Sequence, residues 1–162
     1  MANITVEYMI LIPVLILQIF LLPYATSTIM NYWSTSSETL ALNDASSRIG
    51  TSIQQLYFFL NNPSVASGTV TNDLKVSPYI GNYAYIGNAT LFSVSGSGSG
   101  RVLELTLRLM GNAISTTSPF TLGNNVQWLK STFMSNSTST CINAYKDSNN
   151  TIWLSFNYVG GK

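Results

Sequence analysis

Few side chains in this sequence of 162 residues could carry out chemistry. It contains one cysteine, Cys141, no histidine and six carboxylates. A cysteine nucleophile needs an adjacent base, which is most often histidine. Zinc sites of the usual kind need several His or Cys ligands, and an intrachain disulfide needs a second Cys. The sequence therefore predicts no catalytic residue, no metal site and no cofactor, and it disfavours an enzyme.

One glycine-rich stretch superficially resembles a phosphate-binding loop. It is the Gly-Ser alternation of residues 96–100. Such a loop holds phosphate only where a helix begins directly after it. Here the residues from Arg101 to Met110 alternate as in a β-strand, so we predict a hairpin loop.

Three asparagines of the second half of the chain begin the acceptor pattern Asn-x-Ser/Thr. They are Asn88, Asn136 and Asn149, and each lies in or near a predicted loop or strand end. The pattern also arises by chance, because Ser, Thr and Asn make up 55 of the 162 residues. We predict surface N-glycosylation at these sites, which would make the protein a glycoprotein. A fourth match, Asn3, falls in a predicted helix.

The charge of the chain is unusually low. Only 8% of its residues are charged, against roughly a quarter in an average soluble domain. Seven basic and six acidic side chains give a formal net charge of +1, without a basic cluster. A nucleic-acid-binding surface needs such a cluster, so we predict no nucleic-acid partner.

The apolar residues are concentrated near the N-terminus. No charge occurs from Tyr8 to Ser37, and residues 8–23 are almost entirely apolar. A membrane-spanning helix needs about 20 such residues, and a helix that is apolar all round must be covered by lipid or protein. A cleaved signal peptide would show a basic start and a small-residue cleavage site. Neither is present, so we expect the segment to be retained.

A second helical pattern follows the apolar run. Apolar residues recur at three- and four-residue steps, which predicts an amphipathic helix. Asn61-Asn62-Pro63 ends the pattern, because proline disfavours helical angles in the residue before it. We predict one helix from about Ile4 to Leu60, interrupted in its hydrogen bonding by Pro13 and Pro23. The apolar positions are Leu40, Ala41, Ala45, Ile49, Ile53, Leu56, Tyr57 and Leu60.

From residue 64 onward the apolar period changes to two. Leu103 to Leu109 and Ile152 to Tyr158 alternate clearly, and turn signals separate further short strands. The predicted fold class is α+β, with one long N-terminal hydrophobic α-helix followed by an antiparallel, immunoglobulin-like β-sandwich. The predicted domains are residues 1–62 and 63–162. The weaker strands are expected at 65–71, 74–80, 83–94, 115–122, 126–134 and 140–145.

The N-terminus resembles the class III signal region of archaeal type IV pilins. The run Asn3-Ile4-Thr5-Val6-Glu7-Tyr8-Met9-Ile10-Leu11 is similar to the pattern Gln-x-Ser-x-Glu-x-x-x-Leu, with Asn in place of Gln and Thr in place of Ser. Glu7-Tyr8 followed by Pro13-Val14-Leu15 is also similar to Tad-type pseudopilins. If Asn3 is the first mature residue, Glu7 is the fifth, where bacterial type IV pilins keep a glutamate.

The resemblance implies a function and a set of partners. It implies the major structural subunit of an archaeal type IV pilus, a cell-surface filament for adhesion or surface motility. The helix of residues 1–62 would reside in the cytoplasmic membrane before assembly and form the filament core afterwards. A prepilin peptidase and an assembly ATPase with its membrane platform would act on it. Glu7 would pair with the N-terminal amine of a neighbouring copy, and the core would include Tyr8, Leu11, Pro13, Leu15, Phe20 and Pro23.

Other functions fit the same sequence. An archaellum filament subunit has the same helix-and-sandwich plan. A membrane-anchored β-sandwich that binds a partner without polymerising is another reading, as is a minor pseudopilin that primes assembly. Pro13 and Pro23 are also compatible with an ordinary membrane helix.

Overall fold

The computed structural model describes residues 2–93, 100–137 and 140–158, and only the backbone of residues 2–8, 157 and 158. It contains one long N-terminal helix followed by two β-sheets, so the predicted α+β class is confirmed. The helix is α1 (Ala2–Asn61). The strands are β1 (Gly68–Asp73), β2 (Tyr85–Ser93), β3 (Arg101–Leu109), β4 (Ser115–Leu122), β5 (Val126–Trp128), β6 (Thr132–Met134), β7 (Thr140–Lys146) and β8 (Ile152–Tyr158).

The chain divides into two compact units within α1. The first comprises residues 1–37 and the second residues 38–162. The predicted domain boundary at residue 62 marks the end of the helix, whereas the second unit already begins at Glu38. Residues 38–61 of the helix, roughly its last seven turns, therefore belong to the same unit as the sandwich.

The strands form two four-stranded sheets. Their orders are β1-β7-β8-β5 and β4-β3-β2-β6. Neighbouring strands are antiparallel, with one exception: β5 runs parallel to β8. The register of the second sheet is long and regular, because all nine residues of β2 are opposite residues of β3.

Side chains that alternate along the strands fill the space between the sheets. Leu103, Leu105 and Leu107 of β3 are fully buried, as the period-two pattern predicts. Ile142 of β7 and Leu154 of β8 are buried in the same core cluster. Burial of a Leu or Ile side chain contributes about 1.5–3 kcal/mol, so these alternating residues supply much of the stability of the sandwich.

The last turns of α1 complete this core. A buried stripe, defined as Leu42, Ala45, Ile49, Ile53, Leu56, Tyr57 and Leu60, joins the core cluster of the sandwich. The prediction is wrong for two positions at its start, since Leu40 is 67% exposed and Ala41 is exposed, while Leu42 is buried. The helical repeat of 100° per residue places Leu42 in line with Ile49 and Ile53, and Leu40 on another side.

Polar contacts align the helix with the edge strand β4. Ser46 donates a hydrogen bond to Ser118 (2.9 Å), and the Gln54 amide donates to the Thr121 carbonyl (3.2 Å). Both helix and strand residue numbers increase in the same direction along this contact. The helix therefore covers β4, whose residues alternate between half-buried and exposed side chains.

A buried lysine secures the end of the helix. Lys146 is 5% exposed, and its ammonium donates hydrogen bonds to the carbonyls of Asn62 (3.0 Å) and Val65 (2.9 Å). The last carbonyls of a helix have no partner within it and carry partial negative charge. A cation at this point satisfies the carbonyls just beyond Asn61.

Three of the predicted strands differ from the structure. The first begins at Gly68 rather than residue 65. Residues 74–80 form a loop rather than a strand. Its described backbone contacts are a hydrogen bond from the Leu74 N–H to the Thr140 carbonyl of β7 (2.9 Å), a local bond from the Val76 N–H to the Leu74 carbonyl (2.9 Å) and an isolated bridge between Ile80 and Tyr83. The predicted strand 126–134 is two short strands, β5 and β6, which belong to different sheets.

Candidate assembly surface

The large apolar side chains of the first half of α1 are exposed. We define residues 9–33 as the apolar segment. The predicted core residues Leu11 and Leu15 are 51% and 48% exposed, and Phe20 is 73% exposed. The other large exposed side chains of the segment are Met9, Ile10, Ile12, Val14, Ile16, Leu17, Ile19, Leu21, Leu22, Tyr24, Ile29, Met30, Tyr32 and Trp33.

The apolar segment has no polar side. Successive helical residues are rotated by 100°, so the four consecutive residues from Met9 to Ile12 already point in all directions. From Met9 onward the helix is long and apolar enough to cross a membrane, with a mean hydropathy of 2.2 over its most apolar window. None of that window is buried. Its length and composition therefore favour association with a membrane.

Pro13 and Pro23 both lie inside α1, as predicted. Each lacks a backbone N–H, so one helical hydrogen bond is missing at Pro13 and another at Pro23. A concave surface of about 750 Å³ lies along the helix beside the first of them. It is lined by Pro13, Ile16, Leu17, Phe20, Leu21 and Tyr24.

The hydroxyl groups after Pro23 bond to the helix itself. Thr26 donates to the carbonyl of Leu22 (2.8 Å), and Thr28 donates to the carbonyl of Tyr24 (2.9 Å). Burying an unpaired hydroxyl costs about 1–3 kcal/mol in proteins. Since these two are already paired, this stretch can be covered by apolar groups without that cost.

Glu7 and Tyr8, two of the predicted assembly residues, have side chains outside the described part of the structure. Their backbones belong to α1. The proposed pairing of Glu7 with an N-terminal amine therefore stays a prediction. Leu11, Pro13, Leu15, Phe20 and Pro23, the other predicted core residues, all lie in the apolar segment, on several sides of the helix.

The three predicted glycosylation sites occupy two kinds of position. Asn136 and Asn149 lie in exposed turns, after β6 and between β7 and β8. Asn88 lies in the middle of β2, with an exposed side chain. Its strand neighbours are Thr106 of β3 and Thr132 of β6. The expectation that all three sites lie in or near loops or strand ends is therefore wrong for Asn88.

The reactive side chain that the sequence singled out is buried. Cys141 is 1% exposed, and its burial and the nearby Asp73 carboxylate raise the pKa of its thiol. A raised pKa keeps the thiol protonated and weakly nucleophilic. Within the described ranges, no three His, Cys, Asp or Glu side chains are grouped so that they could hold a metal ion.

A polar groove on the sandwich was not predicted from the sequence. It has a volume of about 680 Å³ and lies beside β2, where the chain passes from β5 to β6. We name it the Trp128 groove. It is lined by Asn88, Ala89, Thr90, Leu91, Ser93, Arg101, Gln127, Trp128, Lys130, Ser131 and Thr132.

Comparison of the chain with models of known protein families, with curated proteins and with solved structures finds no match in any of the three.

Proposed function

We propose that this chain is the major structural subunit of an archaeal type IV pilus, which polymerises through its N-terminal helix into a cell-surface filament for adhesion or surface motility. The observation that carries the proposal is the exposure of the apolar segment on every side. Large exposed apolar surfaces mark sites of protein or membrane contact. The N-terminal resemblance to archaeal pilins favours a second copy of the chain as the final contact.

The apolar segment supplies ample free energy for association. Twelve large aliphatic or aromatic side chains lie between Met9 and Leu22. At about 1.5–3 kcal/mol each, covering them from water stabilises an assembly by roughly 20–35 kcal/mol before entropy costs. This exceeds the cost of several kcal/mol for enclosing the Glu7 carboxylate without a partner.

Transfer from a membrane into a filament needs a different source of energy. In lipid the apolar segment is already covered, and helices gain no hydrophobic energy by meeting there. The paired hydroxyls of Thr26 and Thr28 allow apolar helix contacts, but extraction from the bilayer requires work. An assembly ATPase is the partner that the pilin resemblance implies for this step.

Electron microscopy of material sheared from cells tests the proposal directly. Antibodies against the sandwich should label filaments in the supernatant. A Glu7→Ala variant should give few or no filaments, while the sandwich keeps its unfolding free energy. A matched Glu38→Ala variant should still polymerise, because Glu38 lies in the sandwich unit, where its carboxylate accepts a hydrogen bond from the Asn112 amide. Normal filaments from Glu7→Ala would contradict the proposed pairing of Glu7 with the N-terminal amine of a neighbouring copy.

One observation favours a second candidate, a single-pass anchor that displays the sandwich without polymerising. Tyr32 and Trp33 are 75% and 74% exposed and lie at the end of the apolar segment. Aromatic residues of this kind are enriched where membrane helices meet water. In that case the antibody against the sandwich would label only the membranes that remain after shearing, and it would label no filament.

A further inference from the structure

Asn88 differs from the other two acceptor asparagines because it lies on the face of a sheet. Along β2 the side chains of Tyr85, Gly87 and Ala89 are buried, so those of Asn88 and Thr90 point outward. Both are exposed. The Asn and the Thr of the acceptor motif therefore stand side by side on one surface.

The same two residues form a wall of the Trp128 groove. Its volume of about 680 Å³ falls within the range of small-molecule sites, about 300–1,000 Å³. A group attached to the Asn88 amide would thus begin at the lining of a groove of suitable size. Asn149, in contrast, is an exposed residue of a four-residue turn.

The lining of the groove suits a carbohydrate. Its hydroxyl and amide groups, from Thr90, Gln127 and Thr132 among others, can donate and accept hydrogen bonds with sugar hydroxyls. Trp128 adds an aromatic surface, and Lys130 adds a cation. Among the described residues that line it, none is a carboxylate.

The groove is held in place by contacts to the core. Trp128 packs edge-on against Phe156, with ring centroids 4.9 Å apart. The Ser131 hydroxyl accepts a hydrogen bond from the Phe156 N–H (2.8 Å) and donates one to the Leu129 carbonyl (2.8 Å). A site whose walls are already ordered loses little entropy when it is filled.

We propose that Asn88 carries an N-linked glycan whose first sugars lie in the Trp128 groove. The donor would be a lipid-phosphate-linked oligosaccharide, and a separate transferase would catalyse the reaction. The Asn88 amide nitrogen attacks the anomeric carbon and forms the N–C bond. The bond from that carbon to the phosphate oxygen breaks, the lipid phosphate leaves with the electron pair, and the amide gives up one proton.

This proposal shares with the proposed function the export of the sandwich, but it does not need polymerisation. It can therefore be tested on the full-length chain in detergent, purified from the cells that make it. Peptide mass spectrometry locates the sugars. Amide hydrogen exchange of residues 127–132 then reports whether the groove is covered.

Variants of the acceptor motif separate the glycan from its attachment site. Asn88→Gln and Thr90→Ala both destroy the motif, whereas Thr90→Ser keeps it. We expect sugar mass on the wild-type Asn88 peptide and at least about threefold faster exchange of residues 127–132 in the first two variants. Thr90→Ser and the turn variant Asn149→Gln should exchange as the wild type does.

Two results would overturn the proposal. An Asn88 peptide without sugar mass in the wild-type protein would show that Asn88 is not modified. If the wild-type Asn88 carries sugar but residues 127–132 exchange equally fast in the Asn88→Gln variant, the sugars do not lie in the Trp128 groove. Neither result depends on whether filaments form, so failure here is distinguishable from failure of the pilus proposal.

Discussion

The two halves of α1 contain similar apolar residues in opposite environments. Ile53 in the buried stripe is fully buried, whereas Ile16 in the apolar segment is 50% exposed. The residues around Ile53 have a polar side, with Asp44 and Arg48 exposed, while those around Ile16 do not. One half finds its cover within the sandwich unit, and the other requires lipid or other chains. The difference explains how one helix can support both folding and association.

The largest expected effect comes from shortening one side chain in each half. Ile53→Ala should lower the free energy of unfolding of the sandwich by about 2–5 kcal/mol, because it leaves a cavity in a close-packed core. Ile16→Ala should leave it unchanged. Urea unfolding of the full-length chain in detergent, followed by near-ultraviolet circular dichroism, measures both. Equal losses in the two variants would show that the halves do not differ in this way.

Alkaline pH should destabilise the sandwich through one buried tyrosine. Tyr85 is fully buried, and burial raises its pKa to about 12 from the value of about 10 expected when unfolded. The unfolded chain therefore loses this proton first. The stability is complete below pH 10 and falls by about 3 kcal/mol as the pH rises from 10 to 12.

Unfolding measured at pH 9 and pH 12 checks this expectation. Tyr85→Phe should show a smaller fall than the wild type, although it also loses the hydrogen bond to the Ser77 carbonyl (3.0 Å). The exposed control Tyr145→Phe should behave as the wild type does. The helical signal of the apolar segment should persist throughout, and a parallel loss of it would argue against two separate environments.

Removal of the cation at the helix end should have an intermediate effect. Lys146→Met leaves the carbonyls of Asn62 and Val65 without their donor. An unsatisfied buried polar group costs about 1–3 kcal/mol, which is the loss we expect in urea unfolding. Lys75→Met, at an exposed position, serves as the control. A loss no greater than that of the control would show that water satisfies these carbonyls equally well.

The smallest effect is expected on the solvent side of the buried stripe. Arg48 and Asp44 form an ion pair at 2.8 Å, with both side chains about two-thirds exposed. Exposed pairs four residues apart contribute about 0.3–0.5 kcal/mol. Arg48→Ala should therefore lower the unfolding free energy by no more than that, and the loss should vanish in high salt. A loss of several kcal/mol would indicate that this side also packs against something.

The sequence predicted those elements whose pattern is local. The helix of residues 4–60 and the strand 115–122 follow from period and turn residues alone, and the structure confirms them. The loop at 74–80 was misread as a strand because Leu74 and Ile80 are buried there, although the described backbone continues the pairing with β7 no further than the bond from the Leu74 N–H to the Thr140 carbonyl (2.9 Å). The 126–134 segment was misread because nothing local shows that the chain changes sheets at Leu129, whose N–H bonds the Leu154 carbonyl (2.9 Å).

The candidate sites show the same limit. The apolar segment could be predicted from the sequence, because a continuous run of apolar residues without charge is recognised without knowledge of the rest of the chain. The Trp128 groove could not be predicted, because Asn88 and Trp128 lie forty positions apart in different sheets and only the packing of the two sheets brings them to one groove. The function of either site depends on molecules outside the chain, which no pattern within it identifies.

Sedimentation of the full-length chain in detergent-free buffer tests the central claim, that the apolar segment is covered by other copies. We expect large, elongated polymers and essentially no free subunit. A single stable species of 17.7 kDa would contradict it, because such a monomer could persist only with that surface already covered within one chain.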